Sequence, residues 1–175
     1  MLLLGEIELH DLESRSKVLF EAVKKANEDI KIHLQSYIST GRVLKGYEIV
    51  GWYGEIVTQE LLGGVIIADD TKDYDVENAA KDERYSVKTR MGTNGNWQVT
   101  SLIPNNKIDD ESPTHLVFVH LNEDYGVESV WCYPWEELVN SGRLKPKKVK
   151  GVERGYTLTV KVSIDKPYLI YGTGK

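Results

Sequence analysis

The sequence has almost no cysteine, because Cys132 is the only one among its 175 residues. A single thiol can form neither an intrachain disulfide nor a thiolate metal cage. Long apolar runs are missing as well, since the apolar start Met1–Leu4 is followed by Glu6 and Glu8. Such a stretch is too short for a membrane span or for the core of a signal peptide. We therefore expect a cytoplasmic protein with no membrane segment, in which Cys132 is a buried structural thiol.

An excess of positive charge is also missing. The formal net charge is −5, which argues against a protein that coats nucleic acid indiscriminately, because non-specific affinity comes from neutralising phosphates. Basic residues are nevertheless concentrated between Gly142 and Gly155, where six of them stand against the single acid Glu153. Such a run is most often a solvated loop. The alternative is a local phosphate contact, for which Lys147 and Lys148 are the candidates.

Several catalytic signatures do not occur. No glycine-rich phosphate loop is present, and no serine stands in the glycine-flanked elbow of a hydrolase. The four histidines show no close metal-ligand spacing. The remaining candidates for catalytic residues are therefore the carboxylates and lysines.

Apolar residues recur at intervals of three or four in two places, which predicts two amphipathic helices, at about 11–39 and 48–62. Short apolar runs between turn signals predict strands at 64–68, 74–77, 84–90, 97–102, 115–120, 127–133, 157–162 and 168–171, with a short helix at 134–140. The length suits one core. We expect a single α/β domain over 1–175, with a helical segment at 11–62 and a mixed, helix-flanked sheet at 64–175.

The second predicted helix contains two interior glycines, Gly51 and Gly54. Each costs about 1 kcal/mol relative to alanine in a helix interior. Their spacing therefore predicts a smooth face where other backbone approaches closely. Glu55 lies beside that face, and Gln59 follows one turn later on the same side.

Charged residues alternate along two neighbouring predicted strands. Side chains two apart on a strand share a face, so Asp75 and Glu77 share one face of the first strand. Four polar residues share one face of the second: Arg84, Ser86, Lys88 and Arg90. The apolar alternates, with Thr89, face the other way, as in a half-buried hairpin. If the two polar faces coincide, acids and bases converge.

A carboxylate beside a lysine suits metal-dependent phosphodiester cleavage. Magnesium prefers oxygen ligands and needs only one or two carboxylates from the protein. Asp75 is the expected central ligand, with the Val87 backbone carbonyl as a second. Lys88 is expected to position the attacking water or to stabilise the transition-state charge.

These residues resemble a known pattern. The segments Gly51–Glu55, Lys72–Asp75 and Ser86–Arg90 are similar to the motifs of the PD-(D/E)xK nuclease superfamily, especially its small uncharacterised members, and the resemblance extends from Gly51 to about Leu138. It implies a restriction endonuclease-like fold, in which helices flank a central mixed sheet. It also implies a nuclease that uses magnesium or manganese, usually with DNA as the substrate.

Ser86 departs from that pattern, because the family's motif most often has Glu or Asp at this position. A serine hydroxyl is uncharged at neutral pH and binds hard metal ions weakly. Glu55 is the preferred source of the missing charge, as in related small members. Glu77 is the second candidate, because it shares a face with Asp75.

We therefore expect a metal-dependent deoxyribonuclease. Its expected catalytic residues are Lys88, Asp75 and Glu55, with Asp75, Glu55 and the Val87 carbonyl on Mg²⁺ or Mn²⁺. Ser86, Gln59, Glu77 and Arg90 are expected to support them, and Arg84, Arg90, Lys147 and Lys148 to contact nucleic acid. Because duplex cutting normally needs two sites, a homodimer is expected.

Three alternatives remain open. The hairpin charges alone would equally suit solvated cross-strand pairs that contribute about 0.2–1 kcal/mol each. A catalytically degenerate module that binds nucleic acid or a protein partner is the second alternative, with Ser86 as the mark of a lost metal site. A structural subunit of a larger system is the third.

Overall fold

The computed structural model describes residues 18, 21, 22, 24–26, 28, 29, 47–67, 72–92, 98–102, 112–124 and 126–172. The chain divides into two compact units, Met1–Ile49 and Val50–Lys175. In the first unit the described residues from 18 to 29 are helical, as predicted there. The rest of the predicted helix at 11–39 lies outside the described residues. No helix in the described ranges is long and apolar enough to cross a membrane.

Helix α1, Tyr47–Leu62, is the predicted second helix. The described residues after it form nine strands: β1 Val65–Ile66, β2 Val76–Asn78, β3 Glu83–Met91, β4 Gln98–Leu102, β5 His115–Leu121, β6 Val127–Pro134, β7 Lys145–Val149, β8 Val152–Thr159 and β9 Leu169–Gly172. Short helices α2, Trp135–Asn140, and α3, Val162–Asp165, lie among the later strands. Helix α2 agrees with the prediction at 134–140, and Pro134 immediately precedes it, where proline suits a helix start.

The central sheet has six strands in the order β1-β2-β3-β5-β6-β9. Strands β3 and β5 are parallel, whereas every other neighbouring pair is antiparallel. The predicted mixed central sheet is thus confirmed, and the chain belongs to the α+β class. Its parallel pair is consistent with the long connection between β3 and β5, since parallel strands cannot be joined by a tight turn.

A second sheet, which the sequence did not predict, contains three strands in the order β4-β8-β7. Strand β4, predicted at 97–102, pairs with β8, where Val99 lies opposite Leu158. The basic stretch from Gly142 to Gly155 is not a simple loop, because it contains β7 and the start of β8, which pair antiparallel. Strand partners depend on contacts distant in sequence, which the local alternation does not specify.

The core lies against both faces of the central sheet. On one face the aromatic and aliphatic residues of β5 and β6 pack with Trp135 of α2 and with Leu158 of β8, all at most 1% exposed. On the other face, Tyr53 and Val57 of α1 are buried, as are Tyr85 and Val87 of β3. The predicted apolar side of the hairpin is thus inside, and the polar alternates of β3 lie on the opposite face.

Candidate functional site

The site lies where β2 stops pairing with β3. Their register places Val76 opposite Tyr85 and Glu77 opposite Arg84. Beyond that pair the Asp75 N–H still donates to the Tyr85 carbonyl at 2.9 Å. Asp75 therefore precedes β2, which is shorter than the predicted strand at 74–77. Further along β3, the peptide group of Val87 points to the same side as that of Tyr85, but its partners are side chains and not the backbone of β2.

Asp75 binds the N–H of that peptide group. Its Oδ2 accepts the Val87 N–H at 2.6 Å, a distance typical of a charge-assisted hydrogen bond. The side chain is 33% exposed. The carboxylate thus takes the place of a strand partner and keeps one side open to solvent.

Lys88 binds the carbonyl of the same residue. Its Nζ donates to the Val87 carbonyl oxygen at 3.0 Å and lies 3.6 Å from Asp75 Oδ2. The lysine side chain is 31% exposed. As expected from the alternation, the acid and the lysine converge, and they do so around the Val87 peptide group.

Glu55 of α1 completes what we call the acid–lysine cluster, Glu55, Asp75 and Lys88. Partial burial raises the pKa of the Glu55 carboxyl, the negative charge of Asp75 raises it further, and the positive charge of Lys88 lowers it. Both hairpin residues are therefore close enough to act on Glu55 electrostatically. The helix contributes Glu55 and the hairpin contributes Asp75 and Lys88, and their joint role stays a prediction.

Close packing between α1 and β3 positions Glu55. A Cβ atom added to Gly54 would lie 1.8 Å from Thr89 Oγ1, so only glycine permits this approach. One turn later in the same helix, the Thr58 hydroxyl donates a hydrogen bond to the Gly54 carbonyl at 2.8 Å. The predicted close approach is thus present at Gly54, although a side chain makes it rather than backbone. Among the described residues, nothing lies within 4 Å of a Cβ added to Gly51.

The predicted supporting residues have varied surroundings. The Gln59 amide donates to the Gly64 carbonyl at 3.1 Å, which ties α1 to the turn before β1. Ser86 is only 4% exposed, so little space remains at this position of the motif. Glu77 is half-buried opposite Arg84. The Gln59 side chain thus stabilises the connection between α1 and β1.

The four predicted nucleic-acid contacts lie on strands of two different sheets. The Arg84 Nε donates to the Ser112 carbonyl at 2.9 Å, and its guanidinium lies 6.0 Å from the Tyr74 ring centroid. Arg90 is exposed near the end of β3. Lys147 and Lys148 lie on β7, in the three-stranded sheet.

Thr114 is a positioning residue that the sequence did not reveal. Its hydroxyl accepts the Arg84 N–H at 2.8 Å and donates to the Arg84 carbonyl at 3.0 Å. It thereby fixes β3 beside the start of β5. The two residues are 30 positions apart, so no local pattern links them.

The cluster and the Val87 carbonyl together provide the types of oxygen atom that bind a hard divalent ion. Two carboxylates and a backbone carbonyl are ligands that magnesium accepts, with water completing its shell. Within the described ranges, no group of three or more His, Cys, Asp or Glu side chains is arranged to hold a metal ion. Any metal here would therefore depend on the Val87 carbonyl and on water.

Comparison with known proteins identifies no family. The chain matches no protein-family model, and no curated protein is significantly similar to it. Function must therefore be inferred from the side chains themselves.

Proposed function

We propose that the protein is a magnesium- or manganese-dependent phosphodiesterase that hydrolyses DNA, with a restriction endonuclease-like fold. The observation that carries this proposal is the acid–lysine cluster, in which Asp75 and Lys88 bind the Val87 peptide group and Glu55 lies within electrostatic reach of both. Cross-strand pairs alone would not explain Glu55, because it comes from a helix and is held near a second negative charge despite the cost.

Asp75 and Glu55 supply the negative charge of the proposed site. Asp75 is oriented by the Val87 N–H, and Glu55 replaces the carboxylate that Ser86 does not provide. At these oxygen atoms and the Val87 carbonyl, magnesium or manganese would supply polarisation of the phosphate and a lower pKa for the attacking water.

Lys88 supplies positive charge from a side chain at the proposed site. Its ammonium group donates up to three hydrogen bonds and is about one-third exposed. It therefore orients the attacking water or stabilises charge on the phosphate oxygens. Arg90, exposed on the same strand, and Arg84 are proposed to contact the DNA backbone. Lys147 and Lys148 are proposed to extend that contact along β7.

The test is incubation of the purified chain with duplex and single-stranded DNA under magnesium or manganese. We expect cleavage that falls at least about a hundredfold in Asp75→Asn, Glu55→Gln and Lys88→Met, since each removes one member of the cluster. The matched controls are Asp73→Asn and Lys81→Met, which alter exposed residues before β2 and between β2 and β3. Cleavage that survives Asp75→Asn and Lys88→Met would remove the cluster from the chemistry.

A second candidate is a non-catalytic module of the same fold that binds nucleic acid or a protein partner. One observation favours it: Lys88 already forms an ion pair with Asp75 and donates a hydrogen bond to the Val87 carbonyl, so the pair can serve as structural support. Calorimetry separates the two candidates. Binding of DNA without any binding of manganese would support the module, whereas manganese binding that Asp75→Asn abolishes would count against it.

We further propose that duplex cleavage uses a homodimer, because one site cuts one strand at a time. Light scattering after size-exclusion chromatography measures the molar mass of the chain with and without DNA. A monomer that nevertheless cuts both strands in one encounter would exclude this arrangement.

A further inference from the structure

Two oxygen atoms of the proposed metal site already have a cation beside them. The Lys88 ammonium nitrogen lies 3.0 Å from the Val87 carbonyl oxygen and 3.6 Å from Asp75 Oδ2. That carboxylate oxygen is itself held at the same peptide group by the Val87 N–H, at 2.6 Å. The lysine thus spans the two atoms that a divalent ion would use.

We infer that the Lys88 ammonium and a divalent cation compete for Asp75 Oδ2 and the Val87 carbonyl oxygen. The lysine occupies these atoms in the metal-free protein and leaves them when the metal binds. It is then available to the phosphate or the water. This inference rests on the proposed function, because it concerns the regulation of the proposed metal site.

Electrostatics supports competition rather than co-occupancy. Like charges repel with an energy that grows as their separation falls, and a partly buried pair is screened less by water and salt than an exposed one. With 31% of its side chain exposed, Lys88 is only partly screened. A lysine that only braced the strand would have the opposite effect, because its loss would loosen Asp75 and weaken metal binding.

The experiment is titration calorimetry of the full chain with manganese chloride alone, without DNA. We expect Lys88→Met to bind Mn²⁺ at least about tenfold more tightly than the wild type, a difference of about 1.4 kcal/mol. The thermal stabilisation by a fixed Mn²⁺ concentration should rise in parallel. Asp75→Asn should abolish binding in both backgrounds. Lys88→Gln serves as a second variant if Lys88→Met fails to fold, as judged by circular dichroism.

Lys81→Met is the matched control. Lys81 also contacts a backbone carbonyl, that of Leu62, at 3.5 Å, but within the described ranges no acid is paired with it there. The substitution makes the same change in net charge, so Mn²⁺ affinity should stay within about twofold of the wild type. An equal gain in Lys81→Met and Lys88→Met would show a general charge effect and overturn the inference.

The remaining outcomes separate the inference from the proposed function. Wild-type binding of Mn²⁺ with equal or weaker binding by both Lys88 variants would overturn the competition and leave the nuclease proposal standing. Binding by the Lys88 variants but not by the wild type would support competition in its strongest form. A lack of binding in every variant would overturn both proposals.

Discussion

Glu55 is held in a position that disfavours its own charge. Partial burial and the neighbouring Asp75 raise its pKa, and Lys88 compensates only in part. A neutral side chain of the same shape should therefore stabilise the fold while it removes a proposed catalytic group, a trade-off that is common at functional sites.

Glu55→Gln is thus expected to raise the melting temperature by about 1–2 °C at pH 8. The gain is small because water screens a partly exposed carboxylate. Differential scanning calorimetry measures it, with Glu60→Gln on the same helix as the control, since Glu60 is exposed. A fall in melting temperature would mean that attraction to Lys88 outweighs the other two effects.

Cys132 offers a second measurement on a single residue. Burial raises the pKa of its thiol to about 12, with a further contribution from the negative charge of Glu83. Because the thiolate is the nucleophile, we expect alkylation by iodoacetamide at pH 8 to be at least about a hundredfold slower in the folded protein than in urea. Mass spectrometry follows the reaction, and equal rates would refute the prediction.

The faces of individual residues were largely predictable from the sequence, whereas their contacts were not. A period of two is a local property of a strand, so Tyr85 and Val87 were correctly expected inside and Lys88 on the polar face. That Lys88 turns back to the carbonyl of Val87 depends on where β2 ends. No periodicity carries that information.

At the scale of elements, the close approach of α1 to β3 depends on a single glycine. A methyl group at Gly54 would meet Thr89, whose Cβ lies at 3.0 Å and whose Cγ2 lies at 3.2 Å, so rotation of the side chain brings no relief. Gly51, one turn earlier, faces open space in the described part of the chain. The two glycines therefore form an internal comparison within one helix.

Gly54→Ala is expected to lower the free energy of unfolding by about 1–3 kcal/mol through overpacking. Gly51→Ala is expected to raise it by about 0.5–1 kcal/mol, because alanine is the better helix former. Urea unfolding measures both. Adding Thr89→Ala to Gly54→Ala should recover part of the loss. Equal effects of the two alanine substitutions would contradict this packing.

The strand pairing in the second sheet could not be predicted from the sequence, although most of the elements could. Helix α1 and the strands β5 and β6 followed from periodicity and apolar runs, because each is nearly continuous in sequence. Strand β4 was expected at almost its observed position, yet its partner β8 is over 50 residues later in the chain. Pairing at such a separation is decided by tertiary contacts.

At the scale of the whole molecule, one buried ion pair joins the late elements. Asp165 of α3 is 0% exposed and binds Arg143, which precedes β7, through both carboxylate oxygens. It also accepts the Lys161 N–H at 2.6 Å, and Arg143 donates to the Thr159 carbonyl of β8 at 3.3 Å. Arg143, the first basic residue of the Gly142–Gly155 stretch, therefore has a structural role.

Asp165→Ala should lower the free energy of unfolding by about 3 kcal/mol or more, because it leaves a guanidinium group without its carboxylate. Replacing both partners, as Arg143→Met with Asp165→Leu, should cost less. Glu137→Ala is the control, since Glu137 is exposed and accepts a hydrogen bond from the Tyr168 hydroxyl. Chemical denaturation checks the ranking, and a double variant no better than Asp165→Ala would reverse it.

The end of β2 at Val76 also bears on solubility. A strand that presents an unpaired peptide group invites a strand from another molecule, and charged side chains are a common defence against such aggregation. Asp75 and Lys88 cover the Val87 peptide group in this way. The two residues proposed for catalysis thus also prevent this peptide group from pairing with a strand of another molecule. Replacing both by alanine should therefore promote self-association, which light scattering would detect.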